Sequence, residues 1–335
     1  MKKIIQFSKS QEGLYSIKKD FYLNNLLNLK KSIQTNKFYN KQPLRTKCKN
    51  CNIKKSKKSF TSFNTNYFIC KKCFHVNGNH EDNKKFINYL YKSNRGKKYA
   101  KNYLANYSSR LKYIYIPKIK FLKKVIGSKI DIMDIGAGAG HFLKACELNN
   151  IKAIGYEPNL TMIDVAKKKL KKNKIYPINL EKIYDQILNS NNKCISLIGV
   201  IEHLNNPRKI FSNFKNSKAK YLFFSLPLFS LSVLLENSTK DVFPRQLSSA
   251  HTHLYTKKSI MHVLNKNKLQ IRAEWWFGTD FSDLFRTLIV KSKFFDIRQR
   301  DKMYKIFLYD YLDKLQNVLD KGKVCSEVHM VVSKK

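Results

Sequence analysis

Acidic residues are scarce in this chain. Its 335 residues hold 23 Asp and Glu against 66 Lys and Arg, for a formal net charge of +43. Arginine is scarce as well, with 9 residues beside 57 lysines. Arg is the fork suited to phosphate and guanine edges, so its shortage weakens a nucleic-acid reading of the charge. Lys, Ile and the 32 Asn share A/T-rich codons, so a biased genome accounts for the excess without a polyanionic partner. A functional polyanion surface stands as the second reading. Long apolar runs are also missing. The opening MKKIIQF has only a short apolar run, where a signal peptide needs ~7 to 15 apolar residues, so a cytoplasmic location is expected. The longest apolar stretch, YLFFSLPLFSLSVLL at 221–235, is 15 residues with Pro227 and three Ser inside it. That is short of the ~18 to 20 needed to span a bilayer. It reads as a buried strand running into a loop and short helix. The sharper alternative is a surface that touches a membrane or a lipid-linked substrate. A hydrophobic content of 43% excludes a wholly disordered chain, and the length predicts about two domains.

Seven cysteines are present, four of them in two pairs, Cys48/Cys51 and Cys70/Cys73. With no export signal, disulfides are not their expected use. The pairs are separated by 18 residues, within the C-x2-C-x15–20-C-x2-C zinc spacing. Each C-x2-C makes a tight knuckle, and two knuckles supply four thiolates for a tetrahedral Zn²⁺. Lys47, Lys49, Lys71 and Lys72 flank the knuckles and lower the cost of gathering four thiolates. A four-Cys site has no open position, so the zinc is structural. Cys146, Cys194 and Cys325 sit in apolar contexts and read as small core residues.

The chain divides into four parts. Residues 1–45 read as a helical extension with Phe21, Leu23, Leu26, Leu27 and Leu29 on a face that packs elsewhere. Residues 46–80 are the four-Cys module, with eight Lys and no acid. Residues 81–125 read as a helical connector or lid, with aromatics from Phe86 and Tyr89 through Tyr99 and Tyr103 to Tyr113 and Tyr115, and with Pro117 interrupting or starting a helix. From 126 to 335 strands alternate with helices, which predicts a largely parallel α/β sheet covered on both faces.

The chemistry-bearing motifs fall in that last part. Asp131–Gly140 (DIMDIGAGAG) follows an apolar strand and opens a helix. Its glycines run G-x-G-x-G, and His141 stands where the dinucleotide fingerprint needs its third glycine, so NAD is disfavoured. The next strand ends at Glu157-Pro158, 17 residues past Gly140. A carboxylate at that tip can accept two hydrogen bonds from vicinal ribose hydroxyls. A third element, GVIEHLNNP from Gly199 to Pro207, follows the CISLI strand at a carboxyl strand end, where open α/β sheets bind ligands.

DIGAGAGHF, GYEP, GVIEHLNNP and a later SAHTHLYT at 249–256 together resemble the class I S-adenosylmethionine-dependent methyltransferases. The nearest branch holds the ubiquinone-biosynthesis O-methyltransferases and cell-surface sugar methyltransferases, and an N-terminal zinc module recurs ahead of such sugar enzymes. The resemblance covers about 46–335 and implies a Rossmann-like, seven-stranded methyltransferase sheet with helices on both faces, preceded by a small zinc-ribbon-like module and helices. It implies S-adenosylmethionine as cofactor beside structural Zn²⁺ on Cys48, Cys51, Cys70 and Cys73. Asp134 would orient the loop or the methionine amine. Gly136, Gly138 and Gly140 would line the methionine and ribose, and Glu157 would bind the ribose hydroxyls. Asn179–Glu181 occupies the adenine position without a clear motif. Val200 to His203 would lie between cofactor and acceptor.

The sulfonium carries its own electrophile, so the protein mainly aligns the acceptor and removes a proton. A base of near-neutral pKa suits a hydroxyl acceptor, and His fits. His203, His253 and His251 are the candidates in that order, with Glu202 beside them and His141 fourth. Each of these histidines also reads as a hydrogen-bonded structural residue. An Asn/Asp-Pro-Pro-aromatic segment and a Pro-Cys nucleophile, two marks of nucleic-acid methylation, are both missing. The expectation is therefore a sugar or other small hydroxylated acceptor in cell-surface polysaccharide synthesis. The alternative is an RNA methyltransferase or an RNA-binding zinc protein.

Overall fold

Among the described residues, two sheets organise the protein. The computed structural model describes residues 3–13, 17, 24–91, 106–127, 129–247, 251–292 and 296–335. Its strands are β1 (Ile4–Phe7), β2 (Phe60–Ser62), β3 (Thr65–Ile69), β4 (Val76–Gly78), β5 (Asp131–Ile135), β6 (Lys152–Glu157), β7 (Lys174–Pro177), β8 (Cys194–Leu197), β9 (Tyr221–Pro227), β10 (His253–Leu254), β11 (Leu269–Phe277) and β12 (Glu327–Lys334). The large sheet has eight strands in the order β1-β11-β12-β9-β8-β5-β6-β7, and the small one runs β10-β4-β3-β2. Strands β7, β6, β5, β8 and β9 are parallel neighbours, and β12 lies antiparallel between β9 and β11. Parallel strands covered on both faces read as unbroken apolar runs. All four residues of β8 are buried accordingly. Cys146, Cys194 and Cys325 are buried as expected.

The core has two layers. On one face Phe211 and Phe214 of the helix Arg208–Asn216 pack with Ile260 and Trp276; on the other Phe121, Leu122, Phe142 and Trp275 meet. The second layer includes the helices Ile116–Ile126, with Pro117 in its first turn, His141–Leu148 and Leu160–Lys169. Pro is preorganised for that place in a helix, as the sequence allowed. The 221–235 run is strand β9 leading into the helix Leu231–Ser238, and no helix among the described residues is long and apolar enough to cross a membrane.

Two expectations for residues 1–45 change. The sheet has an eighth strand because Ile4–Phe7 pairs parallel with β11, Ile4 opposite Ala273. The helix Asn25–Tyr39 turns the other way from its pattern. It buries Asn25, Ser32, Thr35, Asn36 and Tyr39, while Leu26 and Leu27 are exposed. Hydrogen bonds explain the inversion: Asn25 Nδ2 donates to the Asp241 carbonyl at 2.8 Å and Asn36 Nδ2 to the Phe63 carbonyl at 3.0 Å. Buried polar groups with partners are tolerated where orphaned ones are not. Phe21, Leu23, Tyr99 and Tyr103 lie outside the described residues.

Candidate active site

Strand β5 delivers the glycine loop at its carboxyl end. Gly136, Gly138 and Gly140 all have positive φ, of 73°, 53° and 75°, which favours glycine. A Cβ on Gly136 would stand 2.5 Å from Val200 Cγ2, so Val200 closes the loop from below. A Cβ on Gly138 would meet nothing within 4 Å, leaving its backbone open to a ligand. Glu157, at the tip of β6, ties the loop down. Its carboxylate accepts from the Gly138 N–H at 2.8 Å and the Asn159 N–H at 2.9 Å. Burial raises its pKa against those two donors. Each oxygen has a lone pair left for a further donor, so the cradle fits a ribose.

Asp134 lies beneath the loop and accepts from Ser196 Oγ at 2.6 Å. Burial is the main reason its pKa is pushed up to about 7, opposed by that hydrogen bond. Burial and like charges disfavour the carboxylate, so a cationic ligand nearby would restore it. In Asn179–Glu181 the two polar residues are exposed while Leu180 packs against the core, and Glu181 is paired to Lys84 at 2.9 Å.

The strand β8 tip carries the acceptor-side candidates. A 3₁₀ turn spans Ile201–His203, and Gly199, at φ 67°, has its N–H held by Ser225 Oγ at 2.8 Å. Glu202 Oε1 lies 3.9 Å from His203 Nε2. The His203 ring centroid is 5.0 Å from that of His251. Nδ1 of His251 faces the Gln246 carbonyl at 2.8 Å. Burial raises the Glu202 pKa to about 8 and lowers that of His251. The other two histidine candidates stand apart from this group. His141 is stacked between Tyr107 and Tyr115, at 4.0 and 5.1 Å, and burial lowers its pKa to about 3. His253 is fully buried in the small sheet, its Nδ1 2.9 Å from His75 Nε2. One charged residue escaped the sequence reading. Lys118 is buried in the helix Ile116–Ile126 and interacts electrostatically with Glu202, Asp134 and Glu327. A single lysine on the apolar face of that helix was the signal.

The four cysteines converge as their spacing predicted. Their sulfurs lie within 4.8 Å of one another, with Cys48–Cys73 at 3.7 Å and Cys51–Cys70 at 3.5 Å. A zinc tetrahedron with ~2.3 Å bonds has sulfur–sulfur edges of about 3.8 Å, so the four fit Zn²⁺. The Cys73 thiol donates to Cys48 and lowers its pKa to about 5, while burial raises Cys51 to about 11. Lys49 does not face these sulfurs. It is buried and ion-paired with Asp82, which Arg45 also contacts at 3.4 Å. The module is joined to the large-sheet half of the chain. Strand β10 pairs with β4, Asn50 Nδ2 donates to the Ser259 carbonyl at 2.8 Å, and Thr256 Oγ1 to the Phe74 carbonyl at 3.1 Å.

Comparison with known proteins agrees with this geometry. A family model described as a methyltransferase domain matches residues 107–274, just over half of the chain. No curated protein matches by sequence. Among solved structures, the magnesium protoporphyrin IX methyltransferase of Synechocystis PCC 6803 with SAH bound superposes with a TM-score of 0.51 at 10% identity, covering 76% of this chain and 100% of that one. An Archaeoglobus fulgidus SAM-dependent methyltransferase gives 0.43 at 14% identity, covering 65% and 92%. The plantazolicin methyltransferase gives 0.47 at 15%, covering 74% and 93%. At 10% identity the likeness to the first of these is one of fold alone.

Proposed function

The chain belongs to the methyltransferase-domain family and is an S-adenosylmethionine-dependent methyltransferase, and we propose that its acceptor is a small hydroxylated molecule, a sugar or nucleotide-linked sugar of cell-surface polysaccharide synthesis. The observation that carries the reading is the group of Glu202, His203 and His251 at the tip of β8, adjoining the glycine loop through Val200. Two imidazoles and a carboxylate can activate a hydroxyl, whose proton must leave before or during methyl transfer. When bound, the cofactor supplies the electrophilic methyl group. In this reading Glu157 holds the ribose hydroxyls, the backbone at Gly136 to Gly140 lines the cofactor, and Asp134 faces its cationic end. Cys48, Cys51, Cys70 and Cys73 hold a structural Zn²⁺, and the enzyme works in the cytoplasm.

Labelled S-adenosylmethionine incubated with nucleotide sugars, lipid-linked sugars and RNA, followed by mass spectrometry, tests this. Label in a sugar is expected. The excess of lysine favours one rival, an RNA acceptor. Contacts to phosphates release counterions, so RNA binding would weaken steeply with salt. Tight, salt-sensitive RNA binding with label in RNA would replace the sugar reading.

A further inference from the structure

We propose that Lys9 and Lys118 form an oxyanion-binding subsite beside the acceptor centre, which takes a carboxylate or phosphate group carried by the acceptor. Lys118 is 6% exposed, and among the described residues no hydrogen bond or ion pair reaches its Nζ, which lies 5.2 Å from the Tyr115 ring centroid. A buried ammonium without an acceptor is costly, and an anion satisfies it. A second cation converges on the same place. Strand β12 is antiparallel to its neighbours, so its first residue, Glu327, stands opposite Pro227 and Phe277 at the edge that carries the glycine loop. Lys9 Nζ lies 5.3 Å from the Phe277 ring centroid. Phe121, three residues on from Lys118 and so on its helix face, packs on Trp275 at 5.5 Å. Both ammoniums act electrostatically on Glu327. That carboxylate is already bonded to His329 Nε2 at 2.8 Å, and 37% of its side chain is exposed, so the place where the cations meet is open to a ligand. The other carboxyls that act on Lys118 are Glu202 and Asp134. Burial pushes their pKa values up to about 8 and about 7, so at neutral pH they do not balance the two lysines.

The subsite narrows the acceptor to a sugar acid or a phosphorylated sugar; this step rests on the proposed hydroxylated acceptor, whereas the anion site itself does not. Lysine offers a compact point charge, which suits the spread charge of an oxyanion. Strands β8 and β12 are separated by β9 alone, and two strand spacings make about 10 Å. A sugar ring with its anionic substituent bridges that separation, the anion between Lys9 and Lys118 and a hydroxyl before Glu202 and His203.

The test is trace reductive methylation of the full chain by formaldehyde and cyanoborohydride at pH 8, resolved by residue with mass spectrometry. It is run in inorganic phosphate, in acetate and in chloride at equal ionic strength. Burial lowers the pKa of Lys118 and brings that of Lys9 to about 8, which favours the neutral, reactive amine, and a bound anion reverses this. Both lysines are expected to take label in chloride and to be protected about threefold or more by phosphate, acetate or both, while the exposed Lys84 is not. Protection by phosphate alone points to a phosphorylated acceptor, and protection by acetate to a sugar acid. Lys118→Met should abolish the protection of Lys9, and Lys9→Met that of Lys118, with thermal unfolding showing that each variant is folded. No label on either lysine in chloride, no protection by either anion, or protection unchanged in both folded variants would overturn the subsite. So would protection by SAH alone with no further effect of either anion, which would assign the lysines to the cofactor's carboxylate. Because no acceptor is present, such a failure is distinct from a failure to find label in a sugar.

Discussion

His75 Nε2 lies 2.9 Å from His253 Nδ1, and this contact joins the four-cysteine module to the segment that carries His251. Strand pairing reinforces it, with His253 opposite Asn77 and Leu254 opposite Val76. Asn77 also reaches back to the cysteine cluster, donating to Cys48 Sγ at 3.5 Å and accepting the Lys49 N–H at 2.9 Å. The cluster is therefore one short strand away from the acceptor side.

Zinc removal should accordingly reach the chemistry. Cys70→Ser is expected to lower zinc content by about one equivalent per chain, since structural sites need their full ligand set. With β4 loosened, β10 loses its pairing partner and the His251 segment its register. Turnover should fall at least tenfold, while SAH affinity changes less than about threefold, because the glycine loop lies on β5. Metal analysis with calorimetry and a turnover assay checks this. A zinc-free variant with normal turnover would show that the module does not hold the acceptor side.

Glu157 binds the loop and, in the proposed reading, the ribose. Glu157→Ala removes acceptors for the N–H groups of Gly138 and Asn159 together with the ribose contacts. Hydrogen bonds to a charged group are worth about 1.5 to 3 kcal/mol each. SAH affinity measured by calorimetry should fall about tenfold to a hundredfold. An unchanged affinity would take Glu157 out of the cofactor site.

The contrast between what the sequence foretold and what it hid has a physical basis. The βα half was legible because parallel strands buried on both faces leave unbroken apolar runs, as in CISL of β8. The sulfur cluster was legible because each knuckle is local and the knuckle spacing is constrained. Strand β1 was not, since four residues carry no period and their partner near Ala273 is far along the chain. The helix Asn25–Tyr39 misled because side-chain amides bonded to loop carbonyls outweighed its leucines. Of the histidine candidates, His203 and His251 meet while His253 does not. Two residues apart, 251 and 253 would share a face of a regular strand, but the strand begins only at His253, which pairs with β4, and His251 lies ahead of it.

Gly136 tests the loop from beneath. Its φ of 73° disfavours a side chain, and a Cβ would collide with Val200 Cγ2 at 2.5 Å. Strain in that region costs of order 1 to 3 kcal/mol. Gly136→Ala should lower thermal stability by about that amount and weaken SAH binding. Pairing it with Val200→Ala removes the collision and should recover part of the stability, though not the φ strain. Additive losses in the double variant, read by thermal unfolding, would show that the two side chains do not meet.

Asp134 should make cofactor binding depend on pH. Burial raises its pKa from the ordinary 3.8 to about 7, so the carboxyl is about half protonated at neutral pH in the free enzyme. S-adenosylmethionine carries an ammonium and a sulfonium, and a cation nearby favours the ionised carboxylate. Binding should tighten as pH rises through 7, about tenfold between pH 6 and 8 by linkage. Stability of the cofactor-free enzyme should move the other way. Between pH 3.8 and about 7 the folded state holds a proton that the unfolded chain has released. The stabilisation present below 3.8 is therefore lost as pH rises through 7. Asp134→Asn should flatten both trends together. Calorimetry and thermal unfolding across this range check it. A pH-independent affinity in the parent enzyme, or a slope that survives in Asp134→Asn, would assign the titration to another group.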